Sequence, residues 1–333
     1  MGFLGGLGNG PIFMTRRSSG RSSRSPWPPA PAGSARPTPR PHQHATHALE
    51  THALVLQDEL RQALDRDQLV LHYQPKIELG TGRVSCLEAL VRWQHPKRGL
   101  LMPSEFLPVA AQYSDLIESL TAWVLRRALA DYTAWTAAGH HWTVAVNVTA
   151  PDLGSLEFAG TVGQILAEAG VRPDRLHLEV IETELAFDTD LAGQVVGALA
   201  AQGILMSIDD FGIGYTSLSQ LRTLQVSEVK IDRTFLAALP GSEQDRAKVR
   251  SLIDLGHSLG CSVTAEGVEW PDVADWLVDA GGDQAQGYLW LRPRAWTEVA
   301  QVFGATTAAT TTETVATESA PAQAGRGSQR ASR

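Results

Sequence analysis

Short β-branched runs alternate with longer helical stretches through the middle of this chain, and that alternation constrains its fold more than any other feature. Candidate strands are Leu69–Leu79, Val84–Trp93, Thr143–Val148, Arg175–Glu182, Ile204–Ile208, Ser227–Ile231, Ser262–Ala265 and a short one near Ala285. Helical patterns lie between most of them, at Leu116–Ala138, Gly160–Ala169, Leu191–Gln202, Gln244–Leu259 and Asp272–Ala280. Repeated strand–helix units predict a parallel sheet covered by helices. Eight strands within the 255 residues of 49–303 predict a closed α/β barrel of the TIM type rather than an open sheet.

The ends of the chain read differently. Residues 1–48 are rich in Arg, Ser, Pro and Ala, and residues 304–333 in Thr and Ala, so both are expected to be disordered tails. The first tail carries six arginines and no acid, which turns the overall net charge of −8 into −14 for the remainder. A compact domain that acidic is a poor general binder of nucleic acid polymers. An anionic substrate would need metal ions to attract it.

Side-chain parity along the strands carries the chemistry. In Val144-Ala145-Val146-Asn147-Val148 the valines share one face and Asn147 points to the other. The same split sets Leu87 against Glu88, Leu178 against Glu179, Ile208 against Asp209, Val229 and Ile231 against Lys230, and Val263 and Ala265 against Glu266. If the aliphatic positions face the outer helices, four carboxylates, an amide and an ammonium converge inside the barrel. Most sit at the C-terminal ends of their strands, where barrel active sites are built. A single inward carboxylate reads equally well as a buried, paired charge. Four together repel and are costly to desolvate, which calls for divalent cations. The adjacent Asp209 and Asp210, before Phe211-Gly212-Ile213-Gly214, suit a two-metal hydrolase in which one carboxylate serves both ions. Oxygen ligands without paired Cys or His favour Mg2+ or Mn2+.

With these residues in place, the chain resembles the EAL domain family of cyclic di-GMP phosphodiesterases. The signature is Glu88-Ala89-Leu90, within Leu87–Trp93. Around it stand Tyr73-Gln74-Pro75, Val146-Asn147-Val148-Thr149, Glu179-Val180-Ile181-Glu182, the run Asp209–Tyr215, Lys230-Ile231-Asp232, Ala265-Glu266-Gly267-Val268-Glu269 and Gln286-Gly287-Tyr288. The resemblance covers about Leu60 to Pro293. It departs from the family pattern at Ala111, Thr149, Ile181 and Ile213, none a metal ligand.

The resemblance implies a (β/α)8 barrel whose first strand runs antiparallel to the rest, and hydrolysis of cyclic di-GMP to pGpG. It implies Glu88, Asn147, Glu179 and Asp209 as ligands of one ion, with Asp209 and Asp210 serving a second. Lys230 would hold or polarise the attacking water, and Glu266 would be general base or second-site ligand. Gln74, Leu90 and Arg92 would contact substrate, and Gln286 the water network and substrate. Glu182 would anchor the Asp209-Asp210 loop, and Glu269 would support the floor. The alternative is a catalytically weak cyclic di-GMP receptor, and a homodimer is expected.

No stretch reads as a membrane span. The longest uncharged run, Leu191 to Ile208, is interrupted by Gln194, Gln202, Gly203 and Ser207. Neither the Gly-rich start nor Arg16-Arg17 is expected to act as an export signal, and the two cysteines, Cys86 and Cys261, suit a reducing compartment. A cytoplasmic location is therefore expected.

Overall fold

The computed structural model describes residues 41–186, 189–214 and 224–313. The expected tails 1–40 and 314–333, and Tyr215 of the loop motif, lie outside the described residues. Nine strands are described: β1 (Leu69–Glu78), β2 (Val84–His95), β3 (Gly99–Leu101), β4 (Thr143–Val148), β5 (Leu176–Ile181), β6 (Leu205–Phe211), β7 (Glu228–Ile231), β8 (Ser262–Glu266) and β9 (Gln284–Gln286). The described helices are α1 (Pro41–Asp65), α2 (Pro103–Ala110), α3 (Ser114–Ala137), α4 (Ala150–Leu153), α5 (Glu157–Ala169), α6 (Thr189–Ala201), α7 (Arg233–Leu236), α8 (Glu243–Ser258), α9 (Pro271–Asp279) and α10 (Trp296–Glu313).

Strands β2, β4, β5, β6, β7, β8 and β9 pair in parallel in that order. β1 closes the ring by pairing antiparallel with both β2 and β9. The result is an eight-stranded mixed barrel, with β3 appended to β2 as a short hairpin partner. Closure leaves the barrel strands without a free edge.

The aliphatic strand positions face outward and form one contiguous core with the helices. Val144, Val146, Val148, Leu176, Leu178, Val180, Val229, Ile231 and Val263 all belong to it. From the other side α3 supplies Leu116, Leu120, Val124, Ala128 and Trp135, spaced to keep one stripe toward the strands. Tyr73 of β1 packs edge-on against Trp135 at 5.4 Å, and its hydroxyl donates to Asp131 Oδ2 at 2.8 Å.

Helix is described across both expected tail boundaries. Residues 41–48 are the start of α1, and residues 304–313 continue α10. The cause is tertiary: Leu56, Leu60 and Ala63, at helical spacing, are buried on one face of α1. Val299 likewise anchors α10 in the core. Composition averaged over 48 residues hides a helix whose buried stripe begins beyond them.

Candidate active site

Inward parity builds two stacked polar rings. Lys230 of β7 is at the centre of the upper ring and is fully buried. Its Nζ lies 2.6 Å from Glu266 Oε1, 2.8 Å from Glu179 Oε2, 3.4 Å from Asp209 Oδ1 and 3.9 Å from Glu88 Oε2. Asn147, exposed at the mouth, donates to Glu88 Oε1 at 2.9 Å. Gln286 donates to Glu88 Oε2 at 2.5 Å and to Gln74 Oε1 at 3.2 Å. Glu88, Asn147, Glu179, Asp209, Lys230, Glu266 and Gln286 are thus brought together, each from a different strand.

Asp210 joins them through a local departure from strand geometry. Neighbouring residues in a regular strand point to opposite faces. Here the β6–β7 register shifts between Ile208 and Phe211, and Asp210 takes the left-handed conformation at φ 56°. A bulge of this kind re-aims a side chain, at a strain of roughly 1–3 kcal/mol for a non-glycine residue. Oxygens of Asp209, Asp210 and Glu266 consequently lie within 4.8 Å of one another.

Glu182 braces this bend. β5 ends at Ile181, and a 3-10 turn over Glu182–Ala186 swings the next side chain out of strand parity. Glu182 Oε2 accepts from the backbone N–H of Gly212 at 2.9 Å and of Gly214 at 3.1 Å. A Cβ on residue 214 would sit 2.6 Å from the Glu182 carboxyl carbon, so this approach requires glycine.

The electrostatics fit cations. Burial and then the Glu266 charge push the Asp209 carboxyl well above its usual range. Burial and the Asp232 and Glu266 charges also raise Asp210. Burial alone would lower the Lys230 pKa, but Asp209, Glu179, Glu266 and Glu88 outweigh it and raise it. Five carboxylates against one ammonium leave four uncompensated negative charges when all are ionised, which two divalent cations would balance. An acidic metal site at Asp209, Asp210 and Glu266 is therefore consistent with the donors present.

Gln74 stands opposite Glu88 in the β1–β2 register. Glu88, Leu90 and Arg92 alternate onto one face of β2. Arg92 is largely buried, spends one N–H on Val91 O at 2.8 Å, and has its pKa lowered by burial. β8 stops at Glu266, Gly267 turns the chain at φ 70°, and Glu269 beyond it is exposed.

The sequence reading missed the lower ring. Lys76, Ser207, Glu228 and Thr264 lie there, all buried, each two residues from a member of the upper ring. The same parity that singles out Lys230 and Glu266 would have found them.

Glu184 gives a stability prediction. Its Oε2 is buried without a hydrogen-bond partner, and burial, with Asp152 adding, raises its pKa to about 7 against the backbone N–H of Ala150. The folded chain therefore keeps a proton that the unfolded chain releases near 4.5. Stability should fall as pH rises through that window, by up to ~3 kcal/mol from this group. Urea unfolding of Glu184→Gln at pH 5 and pH 8 should show a smaller difference between the two pH values than the parent does. An unchanged difference would contradict it.

Comparison with known proteins places this geometry in a family. The model described as EAL domain matches residues 57–293. The cyclic di-GMP phosphodiesterase NbdA of Pseudomonas aeruginosa is 42% identical over 244 residues, covering 73% of this chain and 31% of NbdA. The bifunctional diguanylate cyclase/cyclic di-GMP phosphodiesterase MucR of the same organism is 40% identical, covering 72% of this chain and 35% of MucR. The chain thus spans about a third of these curated relatives. Among solved structures, the PaMucR phosphodiesterase in complex with c-di-GMP superposes with a TM-score of 0.69 at 39% identity, over 73% of this chain and 99% of that one. The EAL domain of Mycobacterium smegmatis DcpA gives 0.60 at 32% identity, over 72% and 97%.

Proposed function

The chain belongs to the EAL domain family, and from that premise we propose that it hydrolyses cyclic di-GMP to the linear dinucleotide pGpG. The observation that carries this reading is the gathering of Glu88, Glu179, Asp209 and Glu266 around the buried Lys230, with Asp210 bent in beside them.

Glu88, Asn147, Glu179 and Asp209 would hold one divalent ion, and Asp209 with Asp210 a second, either Mg2+ or Mn2+. Such ions, when bound, neutralise phosphate charge and make water acidic enough to supply hydroxide near neutral pH. Of the two roles open to Glu266, the cluster with both aspartates supports second-site ligand. The oxygen of water attacks phosphorus in line with the ribose 3′-oxygen. One P–O bond forms as the other breaks; the water gives its proton to solvent, and the 3′-oxygen takes one from solvent and leaves as a hydroxyl. Lys230, which is held within the carboxylate ring, orients the water and offsets charge developing at the phosphate. Arg92 keeps guanidinium N–H groups free of its own backbone bond to hold a phosphate oxygen, while Gln74 and Leu90 line the path to the base. Gln286, bonded to Glu88 and Gln74, ties the metal side to the substrate side.

The test is direct. Purified protein with cyclic di-GMP and Mn2+ should yield pGpG by chromatography, with none in EDTA and recovery on adding Mn2+. Tight binding of cyclic di-GMP without turnover at any Mg2+ or Mn2+ concentration would overturn the reading in favour of a receptor. The same reading includes a homodimer, which sedimentation velocity would check, and the cytoplasmic setting expected from the sequence. Among the described residues no helix is long and apolar enough to cross a membrane.

A further inference from the structure

Beneath the upper ring the charges continue in an ordered chain. Lys76 Nζ, 1% exposed, lies 2.7 Å from Glu179 Oε1 and 2.7 Å from Glu228 Oε2. Glu228 in turn accepts from Ser207 Oγ and Thr264 Oγ1, each at 2.5 Å. Glu179 therefore has an ammonium group against each carboxylate oxygen: Lys76 lies beside Oε1 at 2.7 Å as an ion pair without hydrogen-bond alignment, and Lys230 donates to Oε2 at 2.8 Å. No other carboxylate of the upper ring shares this arrangement among the described residues. Glu88 is held by two neutral amides, and Glu266 and Asp209 meet only Lys230 among the ammonium groups.

We propose that Lys76, paired with Glu228, is a positioning residue for metal binding: it pins Glu179 Oε1 to the barrel floor so that Oε2 stays aimed at the mouth. The inference rests on the proposed role of Glu179 as a metal ligand. A carboxylate with one oxygen fixed has one way to present the other. Ordering it before the cation arrives removes a rotamer cost from binding. Lys230 alone would not achieve this, because it is shared among four carboxylates and meets only one oxygen of Glu179. The Lys76–Glu228 pair is itself neutral, so it restrains Glu179 without adding net charge that would repel a cation. Ser207 and Thr264 fix Glu228, which extends the restraint from β1 through β7 to β6 and β8.

Removing Lys76 alone strands Glu228 as a buried unpaired charge, and the chain would risk misfolding. The informative variant is the double substitution Lys76→Met with Glu228→Gln, which removes a neutral pair, leaves one hydroxyl its acceptor and lets the other turn to accept from the amide nitrogen. Binding of Mn2+ alone, without substrate, is measured by titration calorimetry, with circular dichroism verifying the fold. The dissociation constant for Mn2+ should rise about tenfold or more. In turnover, the half-saturating Mn2+ concentration should rise by the same factor. The KM for cyclic di-GMP should stay within twofold, and kcat at saturating Mn2+ should return to within about threefold of the parent. A folded double variant whose Mn2+ dissociation constant lies within twofold of the parent, or below it, overturns the proposal. So does a loss of kcat that excess Mn2+ does not repair. If the parent binds Mn2+ but yields no pGpG, the hydrolase reading fails while the calorimetric comparison still decides the role of Lys76.

Discussion

Glu179→Ala and Glu88→Ala should both abolish hydrolysis of cyclic di-GMP, yet they should differ sharply in stability. Each removes a proposed anionic ligand, and losses at groups that merely hold ligands already reach roughly 10–100-fold. Glu179 also sits between two buried ammonium groups, Lys76 at 2.7 Å and Lys230 at 2.8 Å. Its removal leaves Lys76 to Glu228 alone and takes from Lys230 one of its closest partners, which should cost about 3–5 kcal/mol. Glu88 instead bonds to the amides of Asn147 and Gln286 and meets Lys230 only at 3.9 Å. Its loss should cost ~1–2 kcal/mol, since neutral donors at the mouth can turn to water. Initial rates at saturating Mn2+ and urea midpoints for both variants test this. Activity within about threefold of the parent for either would sink the ligand assignment. Equal destabilisation by both would show that the two lysines do not depend on Glu179.

Much of this site was legible because strand parity is a rigid rule. Once Val144, Val146 and Val148 are assigned to the helix-facing side, Asn147 has nowhere to point but inward, and Glu88, Glu179, Asp209, Lys230 and Glu266 follow for the same reason. Parity says nothing about strand direction, however. That β1 runs antiparallel to β2 and β9 came from resemblance alone, because alternation reads the same in either sense. Parity also fails where the backbone breaks it. Asp210 should face away from Asp209, and only the bulge with its left-handed φ brings the two carboxylates together. No local residue announces that bulge, since Asp210 itself adopts the conformation usually left to glycine. The lower ring was missed for a different reason. Lys76, Glu228, Ser207 and Thr264 obey the rule, but they lie below the strand ends where catalytic groups are sought.

Glu182→Gln is the second substitution expected to have a large effect, and it acts without touching the reacting atoms. One oxygen, Oε2, accepts from both Gly212 N–H and Gly214 N–H, so these two N–H groups of the loop that follows Asp210 share one charged acceptor. Glutamine keeps the size and a carbonyl oxygen but loses the charge that makes such bonds strong. Loop anchoring should weaken by about 1–3 kcal/mol. Asp210 already sits in a strained left-handed conformation, so a weaker anchor lets it relax away from Asp209 and Glu266. The rate should fall by about 10–100-fold at limiting Mn2+, as that free energy implies. Raising Mn2+ should restore part of the loss, because mass action favours the state that binds the cation. Gly214→Ala should behave in the same way, since its Cβ would displace the Glu182 carboxyl from the loop. Initial rates across a Mn2+ titration decide the matter for both variants. If Glu182→Gln loses activity that no Mn2+ concentration recovers, Glu182 is not an anchor for the loop, and its carboxylate takes part directly in holding metal.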